Sequence, residues 1–222
     1  MSDTVLSNDA ARMDRHYRYQ RFIYDSTRTR YLIGRRHLID ELKPRRDDRV
    51  LEIGCGTAWN LGHAARKYPE ARLYGVDVSS AMLQTARASL KRKGLEHRVT
   101  LRQGDATDFD SRALFGEEAF DRIFFSYALS MIPRWREALA HATGLLSNRG
   151  SLHIVDFGQS EQLPEAFKRA LFAFLKHYTV VPRADLEAEI SKVAAVRGHS
   201  AKFNRFHLGY TDYAIISGPA RV

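Results

Sequence analysis

The sequence predicts an α/β fold: a mostly parallel sheet covered by helices on both faces, with a C-terminal antiparallel hairpin and a helical lid at the N-terminus. Three observations carry this. Between residues 49 and 157, short apolar runs alternate with helix-patterned segments, and that alternation implies crossover connections and parallel pairing. The first run ends in a glycine turn, Gly54-Cys55-Gly56, from which a helix begins, a place where glycine lets the backbone bend tightly and approach a ligand. The segment Phe203–Ser217 holds two extended runs around Gly209, the pattern of a hairpin.

Taken in order, residues 1–11 read as a loose tail. Residues 12–42 read as helix, with no proline and one glycine. Lys43–Asp48 is a polar linker containing Pro44. The domain boundary therefore falls at 48, with residues 1–48 as tail and lid and 49–222 as the main domain. Strands are expected at Arg49–Ile53, Arg72–Val76, Val99–Gln103, Asp121–Phe125 and Ser151–Phe157, each short and apolar. Helices are expected at Asn60–Lys67, Ser80–Lys93, Trp135–Leu146, Glu165–Tyr178 and Ala184–Arg197. Ser79 or Ser80 caps the second of these and Gly94 ends it.

Composition excludes several classes. A chain of 222 residues with 44% hydrophobic and 27% charged residues suits one globular domain. One cysteine forms no internal disulfide. The longest apolar run, Ile123 to Ile132, is about half a membrane span. The opening residues lack the apolar stretch of a signal peptide. A cytoplasmic protein is the expectation, peripheral on the inner face of the membrane if its substrate is a lipid. The net charge of +9 sits at the ends. Residues 1–49 carry 12 Lys and Arg against 8 Asp and Glu, whereas residues 50–163 carry 14 against 13. Such ends attract nucleic acid, anionic lipid or an acidic small molecule, or simply confer solubility.

Acidic residues follow the glycine turn at informative places. Asp77 ends the second strand, 21 residues after Gly56, where a carboxylate accepts hydrogen bonds from ribose hydroxyls. Asp105 follows the third strand, where it can accept from an amino group. A dinucleotide site usually has Gly or Ala where this chain has Trp59, so an adenosyl site fits better. Glu52, Gly54, Cys55, Gly56, Thr57 and Ala58, with ValAspValSer (76–79), GlyAspAla (104–106) and PheAspArgIle (120–123), resemble class I S-adenosylmethionine-dependent methyltransferases. The resemblance covers roughly residues 45–157 and implies their Rossmann-like fold and S-adenosylmethionine as cofactor. It implies that Gly54, Cys55 and Gly56 approach the methionine part and Glu52 organises the loop. Asp77 and Val78 would meet the ribose, and Asp105 and Ala106 the adenine. Met82 would pack on the adenine or simply fill the core. Ala58 replaces a family glycine, a small departure provided its φ is negative. No metal is expected.

In residues 16–36, Tyr17, Tyr24 and Tyr31 recur every seven residues, and so do Arg21, Arg28 and Arg35. On one helix these form an aromatic stripe beside a guanidinium stripe, either packed with a solvated edge or serving as a lid over the strand ends. TyrArgTyrGlnArgPheIleTyrAspSerThrArg (17–28), TyrLeuIleGlyArg (31–35), GlySerLeuHisIleValAspPheGlyGln (150–159) and GlyTyrThrAspTyrAla (209–214) resemble a narrower group. These are the bacterial diacylglycerylhomoserine N-methyltransferases of the BtaB type, which methylate a lipid-linked homoserine amine three times to a betaine lipid.

That resemblance implies successive N-methylation of diacylglycerylhomoserine. A free α-amine has a pKa of about 8, so placement matters more than a strong base. Tyr24, Tyr127 and Asp156 are the candidates for orienting the amine, while Ser126 is better placed for the cofactor. Tyr17, Tyr24, Tyr31 and Tyr127 offer faces to the growing cation. Arg28 and Arg35 offer forks to a carboxylate, that of the substrate or that of the cofactor. His153, mid-strand, reads as a satisfied core histidine. Leu163–Tyr178 carries an apolar face that either packs on the sheet, the favoured reading, or lies at a membrane interface with lipid as partner. Alternatives are another lipid amine such as phosphatidylethanolamine, a quinone precursor, RNA, or cofactor binding without turnover. Against RNA, the basic excess is interleaved with tyrosines and no RNA module is visible.

Overall fold

The computed structural model describes residues 31–218. The elements are α1 (Arg35–Leu42), β1 (Arg49–Ile53), α2 (Trp59–Lys67), β2 (Arg72–Asp77), α3 (Ser80–Arg92) and β3 (Val99–Gln103). They continue with α4 (Ser111–Phe115), β4 (Phe120–Ser126), α5 (Trp135–Gly144), β5 (Leu146–Phe157), α6 (Glu165–His177), α7 (Leu186–Val196), β6 (Ser200–Phe206) and β7 (Thr211–Ser217).

Seven strands form one sheet in the order β3-β2-β1-β4-β5-β7-β6. The first five pair in parallel, with Val50 opposite both Leu73 and Arg122. The hairpin expected around Gly209 forms, and β7 pairs antiparallel with both β5 and β6. Each face of the sheet has its own core. Leu38, Leu61, Leu83 and Leu90 of α1–α3 pack on one. Leu139, Leu186 and Ile190 of α5 and α7 pack on the other. Helices on both faces leave the inner parallel strands little solvated side, whereas the edge strand β3 exposes Arg102 and Gln103.

Three expectations change. Residues 12–42 are not one helix through the described part: Leu32–Gly34 form a turn, and Gly34 (φ 88°) is the N-cap of α1. Its left-handed backbone breaks the helical path, so Tyr31 and Arg35 do not share a helix. Residues 145–150 are not the end of a helix and a loop: β5 begins at Leu146, because Phe120 at the start of β4 pairs with Leu146. Finally, the packing of Leu163–Tyr178 on the sheet, the favoured reading, is only partial: Leu175 joins the core on the α1–α3 side, with Leu171 and Tyr178 packed against it. Leu175 is the one buried residue of α6, while Phe167 is 54% and Phe174 45% exposed. The faces are already largely covered by α1–α3 on one side and α5 and α7 on the other, so Phe167 and Phe174 stay at the surface.

Candidate functional site

The site forms where parallel strands end and their connections diverge. The Gly54 and Cys55 N–H groups both donate to the Val76 carbonyl, at 2.9 and 3.0 Å, fixing the end of β1 to that of β2. Gly54 has φ +72°, and a Cβ there would stand 2.8 Å from that of Ala128. Gly56 has φ +52°, and a Cβ there would meet nothing within 4 Å. Its backbone therefore borders open space. Cys55 is buried, and burial pushes its thiol up. Ala58 has φ 57°, left-handed rather than negative as expected. The position keeps the backbone of a glycine although alanine occupies it, at about 1–2 kcal/mol of strain.

Asp77 spans this turn and the next helix. Its Oδ2 accepts from Gly56 N at 2.8 Å and its Oδ1 from Ser79 N at 2.9 Å. Ser79, in turn, caps α3 by accepting from Met82 N at 3.2 Å. Val78 is half-buried and Met82 buried. Asp105 Oδ1 accepts from the Thr107 N–H and hydroxyl, at 2.9 and 2.7 Å. Arg134, which sequence reasoning missed, lies 3.3 Å from Asp105 Oδ2. It comes from the connection after β4, whose loop reaches the same edge. Ala106 is half-buried against the α5 side of the core. At the end of β4 the Ser126 hydroxyl is buried with no partner among the described residues.

Glu52 lies beneath the turn. It is 1% exposed, and Asn60 Nδ2 donates to its Oε1 at 2.6 Å. Arg35 Nε donates to Asn60 Oδ1 at 2.9 Å, and the guanidinium sits 3.9 Å above the Trp59 ring. Burial pushes the Glu52 carboxyl up to about 8 against the pull of Asn60 and Arg35. The chain Arg35–Asn60–Glu52 thus links the start of α1 to the glycine turn.

The other candidates lie on or just after β4, β5 and β7. Tyr127 is left-handed (φ 55°), and its hydroxyl donates to the Ile33 carbonyl at 2.5 Å. Burial pushes its phenol far up. Its ring stands 4.6 Å from that of Phe157. Tyr210 donates to the Tyr31 carbonyl at 3.0 Å, so two tyrosines tie residues 31–33 across the strand ends. Both Asp156 oxygens accept from backbone N–H groups, of Ser130 at 3.0 Å and Phe157 at 2.8 Å. Asp212, also missed, lies opposite Asp156. It is 4% exposed, its Oδ1 has no hydrogen bond among the described residues and lies 4.0 Å from Arg205 Nε, and burial pushes it up to about 7 against the pull of Arg205. His153 is the satisfied core histidine expected, 2.9 Å from Ser151 Oγ and 3.2 Å from the Tyr213 hydroxyl, and burial lowers it to about 3. Tyr17, Tyr24 and Arg28 lie outside the described residues.

The fit to an adenosyl cofactor rests on the open backbone at Gly56, the carboxylate at the end of β2 and the unpartnered Ser126 hydroxyl. Residues 50–150 match the family described as "Methyltransferase domain". The matched stretch covers the glycine turn, Asp77 and Asp105 described above. The chain is 29% identical over 111 residues to a demethylmenaquinone methyltransferase of Geobacillus stearothermophilus, spanning 50% of this chain and 45% of that one. It is 30% identical over 130 residues to a phosphatidylethanolamine N-methyltransferase of Cereibacter sphaeroides, spanning 58% and 61%. The chain spans about half the length of the curated relatives it matches. Its fold is that of a Haemonchus contortus phosphoethanolamine N-methyltransferase solved with S-adenosylmethionine. That match has a TM-score of 0.67 and 17% identity, over 84% of this chain and 52% of that one.

Proposed function

We propose that the protein is an N-methyltransferase that methylates the amine of diacylglycerylhomoserine successively to the trimethylated betaine lipid. The observation that carries the reading is the state of the acid–base groups at the strand ends. Tyr127 gives its proton to the Ile33 carbonyl, and both oxygens of Asp156 are held by backbone amides. An acceptor that must lose a tightly held proton before attack is poorly served by such a site. An amine of pKa about 8 needs only to be placed and oriented. Bound cofactor supplies a methyl group on a sulfonium, transferred by direct displacement to a neutral nitrogen. In this reading Gly54, Gly56 and Asp77 hold the cofactor, with Asp105 and Ala106 at its adenine. Arg35 and Glu52 set the turn, and Asp212 Oδ1 is an acceptor for the amine. The motifs at 17–28, 150–159 and 209–214 support the homoserine lipid as acceptor, and the phosphatidylethanolamine N-methyltransferase relative supports a lipid amine more generally.

The test supplies purified protein and labelled S-adenosylmethionine with diacylglycerylhomoserine, phosphatidylethanolamine or a demethylated quinone in mixed micelles. Mono-, di- and trimethylated homoserine lipid is the expected result. Transfer only to one of the other acceptors, or to none, overturns the assignment.

A further inference from the structure

We propose that the face made by α6, residues 31–37 and the β6–β7 turn docks on an anionic lipid bilayer, with one acidic headgroup seated in its basic cavity. The proposal rests on the lipid-amine reading for its purpose, but docking is measurable without any acceptor. Five large apolar side chains are exposed among the described residues, and three of them border this face. Phe167 and Phe174 project from α6, and the Phe174 ring stands edge-on 6.1 Å from Tyr31. Leu208, exposed at the hairpin tip, accepts from Gln162 N, just before α6, at 3.3 Å.

Beside them lies a cavity of about 560 Å³ whose lining includes Arg35, Arg36, His37, Trp59 and His207. Its surroundings are cationic. The His63 ring lies 4.0 Å from Trp59 and is pushed down first by burial, then by Arg36, Lys93, Arg66 and Arg35. Arg36 and Arg66 form no ion pair among the described residues. Exposed phenylalanines beside unneutralised cations match a surface that is apolar beneath and anionic above, which is an acidic bilayer. A second copy of the chain would set like charges together, and a nucleic acid would leave the apolar side chains in water. Arg35 lines the cavity and also reaches Asn60 beneath the glycine turn, so a docked headgroup sits next to the methyl-transfer site.

The experiment sediments the full chain with vesicles of phosphatidylcholine alone or mixed with phosphatidylglycerol. Binding should appear with the acidic vesicles, be at least about tenfold weaker with the neutral ones, and weaken as salt rises. Phe167→Asp with Phe174→Asp should lower binding about tenfold or more. Arg36→Glu should lower it about fivefold or more. Both variants should bind S-adenosylmethionine as the parent does, which shows an intact fold. Equal binding to both vesicles, unchanged binding by the variants, or a parent dimer that the phenylalanine variant splits without any vesicle binding would each overturn docking. Glycerylhomoserine, the headgroup without acyl chains, separates the two proposals. Docking variants should methylate it at the parent rate, and its failure as acceptor counts against the proposed reaction, not against docking.

Discussion

Replacing Glu52 by glutamine tests the electrostatics beneath the glycine turn. The carboxyl is 1% exposed, accepts one hydrogen bond from Asn60 and leaves Oε2 without one. Burial raises it from 4.5 to about 8, which corresponds to about 5 kcal/mol at about 1.4 kcal/mol per pH unit. Between those values the folded protein holds a proton that the unfolded chain has released. The stability this group contributes is complete below pH 4.5 and is lost as pH rises through 8. Glutamine cannot ionise, and its own hydrogen-bonding mismatch adds an offset that pH does not change. Urea unfolding of both proteins without cofactor, from pH 5 to pH 8, should therefore show the variant gaining on the parent. The gain should approach about 1.4 kcal/mol per pH unit. Parallel curves would mean that Glu52 is already ionised in the fold and that the buried-acid argument is wrong.

Asp77→Ala removes the acceptor of the Gly56 and Ser79 N–H groups. S-adenosylmethionine affinity by calorimetry should fall about a hundredfold or more, and unchanged affinity would move the ribose site elsewhere. Gly54→Ala combines a φ of +72° with a 2.8 Å approach to Ala128, so unfolding experiments should show a loss of roughly 2–4 kcal/mol. Ala58→Gly relieves the left-handed strain at φ 57° and should gain about 1 kcal/mol in the same assay. Tyr127→Phe deletes the bond to the Ile33 carbonyl. Hydrogen exchange over residues 31–34 should quicken while the pH profile of methyl transfer keeps its shape, because the hydroxyl is a tie and not a base. Arg134→Ala breaks an ion pair whose arginine is half exposed, and cofactor affinity should change by less than about threefold.

The parallel part of the fold was legible because the inner strands β1, β2, β4 and β5 are largely buried and strand and helix patterns alternate between 49 and 157. Gly54, Gly56, Asp77 and Asp105 fall at the strand-end edge that their spacing indicated, and Glu52 lies beneath the turn that the resemblance assigned it to. What stayed hidden depends on contacts distant in sequence. Asn60 and Arg134 carry no motif of their own, and they matter because Glu52 and Asp105 lie next to them in space. Asp212 became visible once β7 was seen to pair with β5, opposite Asp156. The heptad of tyrosines and arginines suggested one helix because periodicity does not register a single left-handed residue, and Gly34 supplies one. The apolar face of α6 read as core sooner than as interface, yet amphipathicity specifies an apolar side and not what lies against it.

The position of β7 shapes how the chain matures. This strand is synthesised after β6 yet lies inside it, between β5 and β6. Until Thr211–Ser217 leave the ribosome, the flank of β5 that will carry seven residue pairs has no neighbour. The last six residues of β5 are buried, so an incomplete chain presents a bare apolar strand margin to whatever it meets. Translation arrested before residue 211 should therefore yield a sticky, protease-sensitive intermediate instead of a shortened enzyme.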